Sequence, residues 1–224
     1  MTDIADSATD KRVKAYRAVC GIIPGGSFIA ELCIDRIPNQ RLDRVVDFIE
    51  KVEFRLRDIE SNSFVTDERY GYLAENSILE SAKAYSSERR SWLASICIPL
   101  AAPPSREEWD FRINAVSQLS SLSDSEVKYL LGYALDDTRR FQLTHTQDDI
   151  HIFISMADRK NLSGQDLFQR TLINNENANH RNSLLRLNFL KFKDDGSFKT
   201  YELTEIGELF LYLLTGKMCI SRNS

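Results

Sequence analysis

A chain of 224 residues, 42% hydrophobic and 28% charged, has enough apolar surface to bury a core in one domain or two without disulfides or metal. Its net charge of -4 and pI near 5.5 remove any global attraction to nucleic acid or an anionic membrane, so such binding would need a local basic face. Cys20, Cys33, Cys97 and Cys219 lie far apart, with no Cys-x-x-Cys pair and no secretory signal ahead of them, which predicts reduced, buried thiols in a cytoplasmic protein.

Residues 1–10 are small and polar, and a mobile start is expected there. A helical domain is expected over 11–100. Lys11 to Ile23 reads as a short helix, Pro24-Gly25-Gly26 breaks it, and Ser27 can cap a second one to Ile34. The apolar stretch Ala18 to Ile34 contains Pro24, Gly25, Gly26 and Glu31 and falls short of the ~20 clean residues of a spanning helix. It is expected to be a hairpin buried in the bundle, with insertion into a membrane as the competing reading. Leu42, Val45, Ile49, Val52, Leu56 and Ile59 then recur at spacings of three and four, which predicts a helix packed along another helix, in the same chain or in a homodimer. Over Thr66 to Ile98 the pattern is one long or two shorter helices. Leu73, Ile78, Leu79, Ala82 and Tyr85 form one face, and Ser86-Ser87-Glu88 offers a restart before Trp92, Leu93 and Ile96. Pro99, Pro103 and Pro104 end this region, and residues 101–105 are the candidate linker to a second domain over 105–224.

Ser105-Arg106-Glu107-Glu108 and Ser123-Asp124-Ser125-Glu126 are capping boxes for two helices in tandem, the first with Trp109, Ile113, Val116 and Leu119 inward. Residues 139–156 alternate in a strand-like way, and a short buried helix fits almost as well. Ser163 to Leu172 and a helix opening at Asn174 or Asn175, with Leu184, Leu185 and Leu187 on one face, form a helix-turn-helix-like pair. Asp194-Asp195-Gly196 separates two alternating apolar runs, the signature of a β-hairpin. Thr204 caps a last helix, Glu205 to Leu214, which Gly216 closes.

Leu187-Asn188-Phe189-Leu190, the hairpin, and the pattern Tyr201-x-Leu203-Thr204-x-x-Gly207 together resemble the C-terminal part of bacterial winged-helix domains of the MarR-like and PadR-like kind, over about 162–216. The resemblance implies a recognition helix that would place Asn179, His180, Arg181, Asn182 and Arg186 near bases or backbone, with Lys191, Lys193 and Lys199 on the wing. Amides and guanidinium groups suit that work, because they bond bidentately to adenine and to guanine or phosphate. Between Asn179 and Lys199 five Lys or Arg stand against two Asp, but Asp194 and Asp195 occupy the wing tip and oppose phosphate. Winged helices also serve as docking modules, so another protein or a second copy of the chain stands beside DNA as an expected partner. The first half is similar, more loosely, to uncharacterised bacterial proteins of phage-defence loci, through Ile37-Pro38-Asn39-Gln40-Arg41-Leu42-Asp43-Arg44 and Glu80-Ser81-Ala82 to Glu88-Arg89-Arg90-Ser91-Trp92-Leu93-Ala94. No defined activity comes with that similarity.

Arg140 and His145 have the Arg-x4-6-His spacing of helical HEPN-type ribonucleases, yet Phe141 stands where that motif has a polar residue, and an ordinary surface pair is expected. His145, His151, Asp148 and Asp149 match no metal-ligand spacing. With no phosphate-binding glycine loop, no Gly-x-Ser-x-Gly elbow and no Cys-His arrangement, neither catalysis nor a cofactor nor a metal is expected. The expectation is a mainly α protein: a helical N-terminal bundle followed by a C-terminal winged helix with a small β-hairpin wing. Its expected function is nucleic-acid binding or regulation, with a docking module of a defence effector as the alternative and a membrane not expected as a partner.

Overall fold

The computed structural model describes residues 37–57, 63–99, 104–135, 176–194 and 199–216. The expectations for the chain start, the 11–34 hairpin, Ile59, residues 139–156 with Arg140 and His145, the Ser163 helix and the Asp195-Gly196 turn lie outside these residues. Within them the protein is mainly α-helical with a single two-stranded antiparallel sheet. Two compact units are present, one comprising Met1–Ser121 with Leu213–Gly216, the other Leu122–Tyr212 with Lys217–Ser224.

The first unit holds α1 (Leu42–Leu56), α2 (Glu68–Lys83), α3 (Ser87–Cys97) and α4 (Arg106–Ser121). Helix α1 packs on α2 and α3, and α4 packs on the same two helices. The seam of α1 is spent inside the chain: Leu42, Val45, Ile49, Val52 and Leu56 are all buried, joined by Val46 and Phe48. No second copy is needed to cover them. Local sequence sets the helix starts. Asp67 and Ser86 accept hydrogen bonds from the amides of Arg69 and Arg89, and Ser105 Oγ accepts from the amide of Glu108. The restart at Ser86 resolves residues 66–98 into two helices.

Two faces differ from their sequence reading. On α2 the buried residues are Tyr70, Leu73, Ala74, Ser77, Ile78, Ser81 and Ala82, whereas Tyr85 is 87% exposed beneath the guanidinium of Arg44, 4.1 Å from the ring centroid. On α4 the inward positions are Trp109, Arg112, Ala115, Val116 and Leu119, with Ile113 half-buried. Trp109 closes an aromatic cluster with Phe64 (6.4 Å between centroids) and Tyr70 (6.2 Å). This anchoring sets the rotation of α4 and carries Arg112 inward. Because α4 packs on α2 and α3, the helix that follows Pro103-Pro104 belongs to the first unit, and the division falls after Ser121.

Arginines from neighbouring helices close the C-termini in this unit. Arg44 of α1 donates to the Ala82 carbonyl at the end of α2 (3.2 Å), Arg112 of α4 to Ile96 at the end of α3 (2.7 Å), and Arg89 of α3 to Leu119 near the end of α4 (2.8 Å). Each satisfies a carbonyl that has no intrahelical partner and places a cation at the negative end of a helix. Arg112 is fully buried, and Glu108 accepts from its Nε at 2.9 Å. Asp47 of α1 bonds both Lys51 and Arg90, and Arg90 also donates to the Ala84 carbonyl at 2.9 Å, which ties α1 to the α2–α3 corner. Cys97, at the end of α3, is a free buried thiol whose pKa burial pushes up to about 11.

The second unit contains α5 (Asp124–Leu135), a helix α6 over 176–186, strands β1 (Leu190–Asp194) and β2 (Lys199–Leu203), and most of α7 (Glu205–Thr215). Ser123 and Glu126 form the expected reciprocal box at the start of α5: Glu126 N donates to Ser123 Oγ (3.2 Å), and Ser123 N donates to Glu126 Oε2 (2.7 Å).

Candidate functional site

Helix α6 ends in a Schellman motif. Asn188 takes φ +58°, its amide donates to Leu185 O (3.0 Å), and the Phe189 amide donates to Leu184 O (2.9 Å). Asparagine tolerates this left-handed conformation better than most side chains. The hydrophobic pair that accompanies such a cap is Leu184 with Phe189, both fully buried, and Phe189 stacks on Phe210 of α7 at 4.5 Å. The chain then enters β1 in a single turn.

Thr204 locks α7 onto this corner. Its amide donates to Phe189 O (3.0 Å), its hydroxyl donates to Asn188 O, and Thr204 Oγ1 accepts from the Gly207 amide (3.0 Å) as an N-cap. A Cβ at Gly207 would lie 2.3 Å from the Phe189 carbonyl oxygen, so only glycine fits there. The two halves of the sequence pattern, Leu187 to Leu190 and Tyr201 to Gly207, are thus one hydrogen-bonded corner holding α6, the hairpin and α7. The strands pair in the register Leu190 with Leu203, Lys191 with Glu202, Phe192 with Tyr201, Lys193 with Thr200 and Asp194 with Lys199.

On α6, Asn179, Asn182 and Arg186 are exposed, and their spacings of three and seven place them on one helical face. His180 does not join them. It is buried, its ring lies 5.5 Å from that of Tyr129 on α5, and its Nε2 sits 3.7 Å from Glu176. Its Nδ1 is buried without a hydrogen-bond partner among the described residues. Ser183, one turn from Asn179, bonds Glu126 of α5. Burial raises the Glu126 carboxyl, but the hydrogen bonds from Ser183 and Ser123, with His180 nearby, hold it below its ordinary value. The His180 contact holds one flank of α6 against α5, and Asn179, Asn182 and Arg186 stay exposed beside it.

Arg181 turns toward the hairpin, its guanidinium 5.5 Å from the Tyr201 ring centroid. Lys191 is exposed but faces Glu202 across the ladder at 3.8 Å, so part of its field is cancelled. Lys193 and Lys199 lie in β1 and β2, at register positions opposite Thr200 and Asp194. The arrangement brings together two amides, an exposed guanidinium and a hairpin. It can offer hydrogen bonds to base edges and contacts to phosphate, with a modest positive field. Phe192, 49% exposed on this hairpin, escaped the sequence reading. Alternation puts it on the face of buried Leu190, and nothing local signals that the core ends between them.

Among the described residues no group of three or more His, Cys, Asp or Glu could hold a metal ion, and no helix is long and apolar enough to cross a membrane. Compared with known proteins, the chain matches no family model, no curated protein and no solved structure.

Proposed function

We propose that the second unit is a DNA-binding module of winged-helix type, in which α6 lays its exposed face against duplex DNA and the hairpin approaches the adjacent backbone. The observation that carries this reading is the alignment of Asn179, Asn182 and Arg186, all exposed, along one stripe of a helix whose His180 flank is held against Tyr129. A helix presenting amides and a guanidinium at one-turn spacing fits the major groove, where adenine and guanine offer paired acceptors and donors. The test is a mobility-shift titration on mixed-sequence duplex at several salt concentrations. Arg186→Ala should flatten the dependence of log K on log salt by about one phosphate contact, while Asn182→Ala should cost discrimination between sequences and leave the salt slope unchanged. Absence of binding at low salt disposes of the reading.

A second reading, a protein-docking module, is favoured by Ile206 (37% exposed) and Leu209 (45%), which stand one turn apart on the outside of α7. Ile206→Ser with Leu209→Ser would then abolish association with a partner and leave any DNA binding untouched.

A further inference from the structure

The aromatic end of the hairpin belongs neither to the core nor to the amide face of α6. Leu190 and Phe192 share a face of β1, two residues apart, yet Leu190 is 2% exposed and Phe192 49%. The ring of Phe192 therefore stands just beyond the edge of the apolar interior. Its cross-strand partner is Tyr201, with ring centroids 5.5 Å apart and planes inclined at 62°. At that angle the rings meet edge to face and do not cover one another as an offset stack would. Phe189 and Phe210, at 4.5 Å and 24° and fully buried, show what a spent aromatic pair looks like in the same unit.

The guanidinium of Arg181 lies 5.5 Å from the centroid of the half-buried Tyr201 ring, so a cation borders this aromatic pair. Exposed aromatic faces beside an arginine are the chemistry on which unpaired nucleobases stack, with the cation positioned for the base or its phosphate. Arg181 projects from the same helix as Asn179, Asn182 and Arg186, which sets the aromatic pair beside the helix that carries the amide stripe. We infer that Phe192, Tyr201 and Arg181 form a stacking platform for one unpaired base of DNA, so that the preferred ligand is a duplex with a single-stranded overhang and not a blunt duplex. This inference rests on the DNA-binding reading of α6 and adds the class of DNA end that it takes.

The experiment compares the full chain on a blunt duplex and on the same duplex carrying an overhang whose first unpaired position is a fluorescent purine analogue. The overhang should bind more tightly, and the analogue's emission should change on binding as it stacks. Phe192→Ala, at a half-exposed position, should lose about tenfold in affinity for the overhang together with the emission change, and keep its affinity for the blunt duplex. Phe192→Trp should restore both. Equal affinity for the two duplexes, or an emission change that persists in Phe192→Ala, overturns the platform. If blunt-duplex binding still responds to Asn182→Ala in that case, the reading of α6 survives alone. No binding to either duplex overturns both.

Discussion

Gly207 and Gly132 are both helical glycines, and their surroundings give opposite expectations. In a helix interior alanine is favoured over glycine by about 1 kcal/mol because glycine loses more backbone freedom on folding. At Gly132 in α5 an added Cβ meets nothing within 4 Å among the described residues, so Gly132→Ala should gain about 0.5–1 kcal/mol. At Gly207 the same methyl would come 2.3 Å from a backbone oxygen that also accepts the Thr204 amide. A carbonyl in use cannot swing aside, and Gly207→Ala should cost about 1–3 kcal/mol despite its better propensity. Urea unfolding followed by circular dichroism checks both signs. Loss of stability at position 132, or gain at position 207, would refute the packing described for that helix.

Helix ends in the first unit depend on side chains from other helices, and this makes the arginines structural. Arg112 is the most consequential. It is fully buried, and its removal takes a hydrogen bond from both the Glu108 carboxylate and the Ile96 carbonyl. Arg112→Ala should destabilise by about 3–5 kcal/mol, the range for breaking one side of a buried pair. Arg112→Met combined with Glu108→Leu should recover much of that loss, because no charge is then left behind. Equilibrium urea unfolding of the two variants decides it.

Asp47 supplies the pH dependence of the α1–α3 contact. Burial pushes its carboxyl up, but hydrogen bonds from Lys51 and Arg90 and their charges outweigh this and hold it below the ordinary aspartate value. A folded pKa below the unfolded one means the stabilisation is complete above the unfolded value and is lost as pH falls through the folded value. The urea midpoint of the native protein should therefore exceed that of Asp47→Asn at neutral pH, and the gap should close below about pH 4. A gap that stays constant down to pH 2 would show that Asp47 acts through shape alone.

At the scale of the whole chain, both tryptophans, Trp92 and Trp109, lie in the first unit, whereas helicity is spread over both. Units with separate cores unfold as separate cooperative blocks. Tryptophan emission and circular dichroism should then give non-coincident urea transitions. Gly207→Ala should move the circular-dichroism curve and leave the emission curve in place. Coincident curves that shift together would identify one cooperative block.

Much of the architecture was legible because its causes are local. The three- and four-residue recurrence from Leu42 to Leu56, the serine caps at 86, 105 and 123, the Thr204 cap and the two alternating runs of the hairpin all act within one turn or one strand pair. So did the pattern from Leu187 to Gly207, although its physical meaning, a carbonyl pressed against a glycine, emerged only in three dimensions. Tertiary packing decided the rest. Trp109 rotated α4 so that Arg112 and not Ile113 went inside, α4 joined the first unit although two prolines precede it, and Tyr129 drew His180 away from the face of α6 that its sequence position suggested. Each outcome depends on a partner distant in the chain. Apolar periodicity and caps determine where helices and strands form, but which side of a helix is left to meet a ligand depends on what packs against the other side.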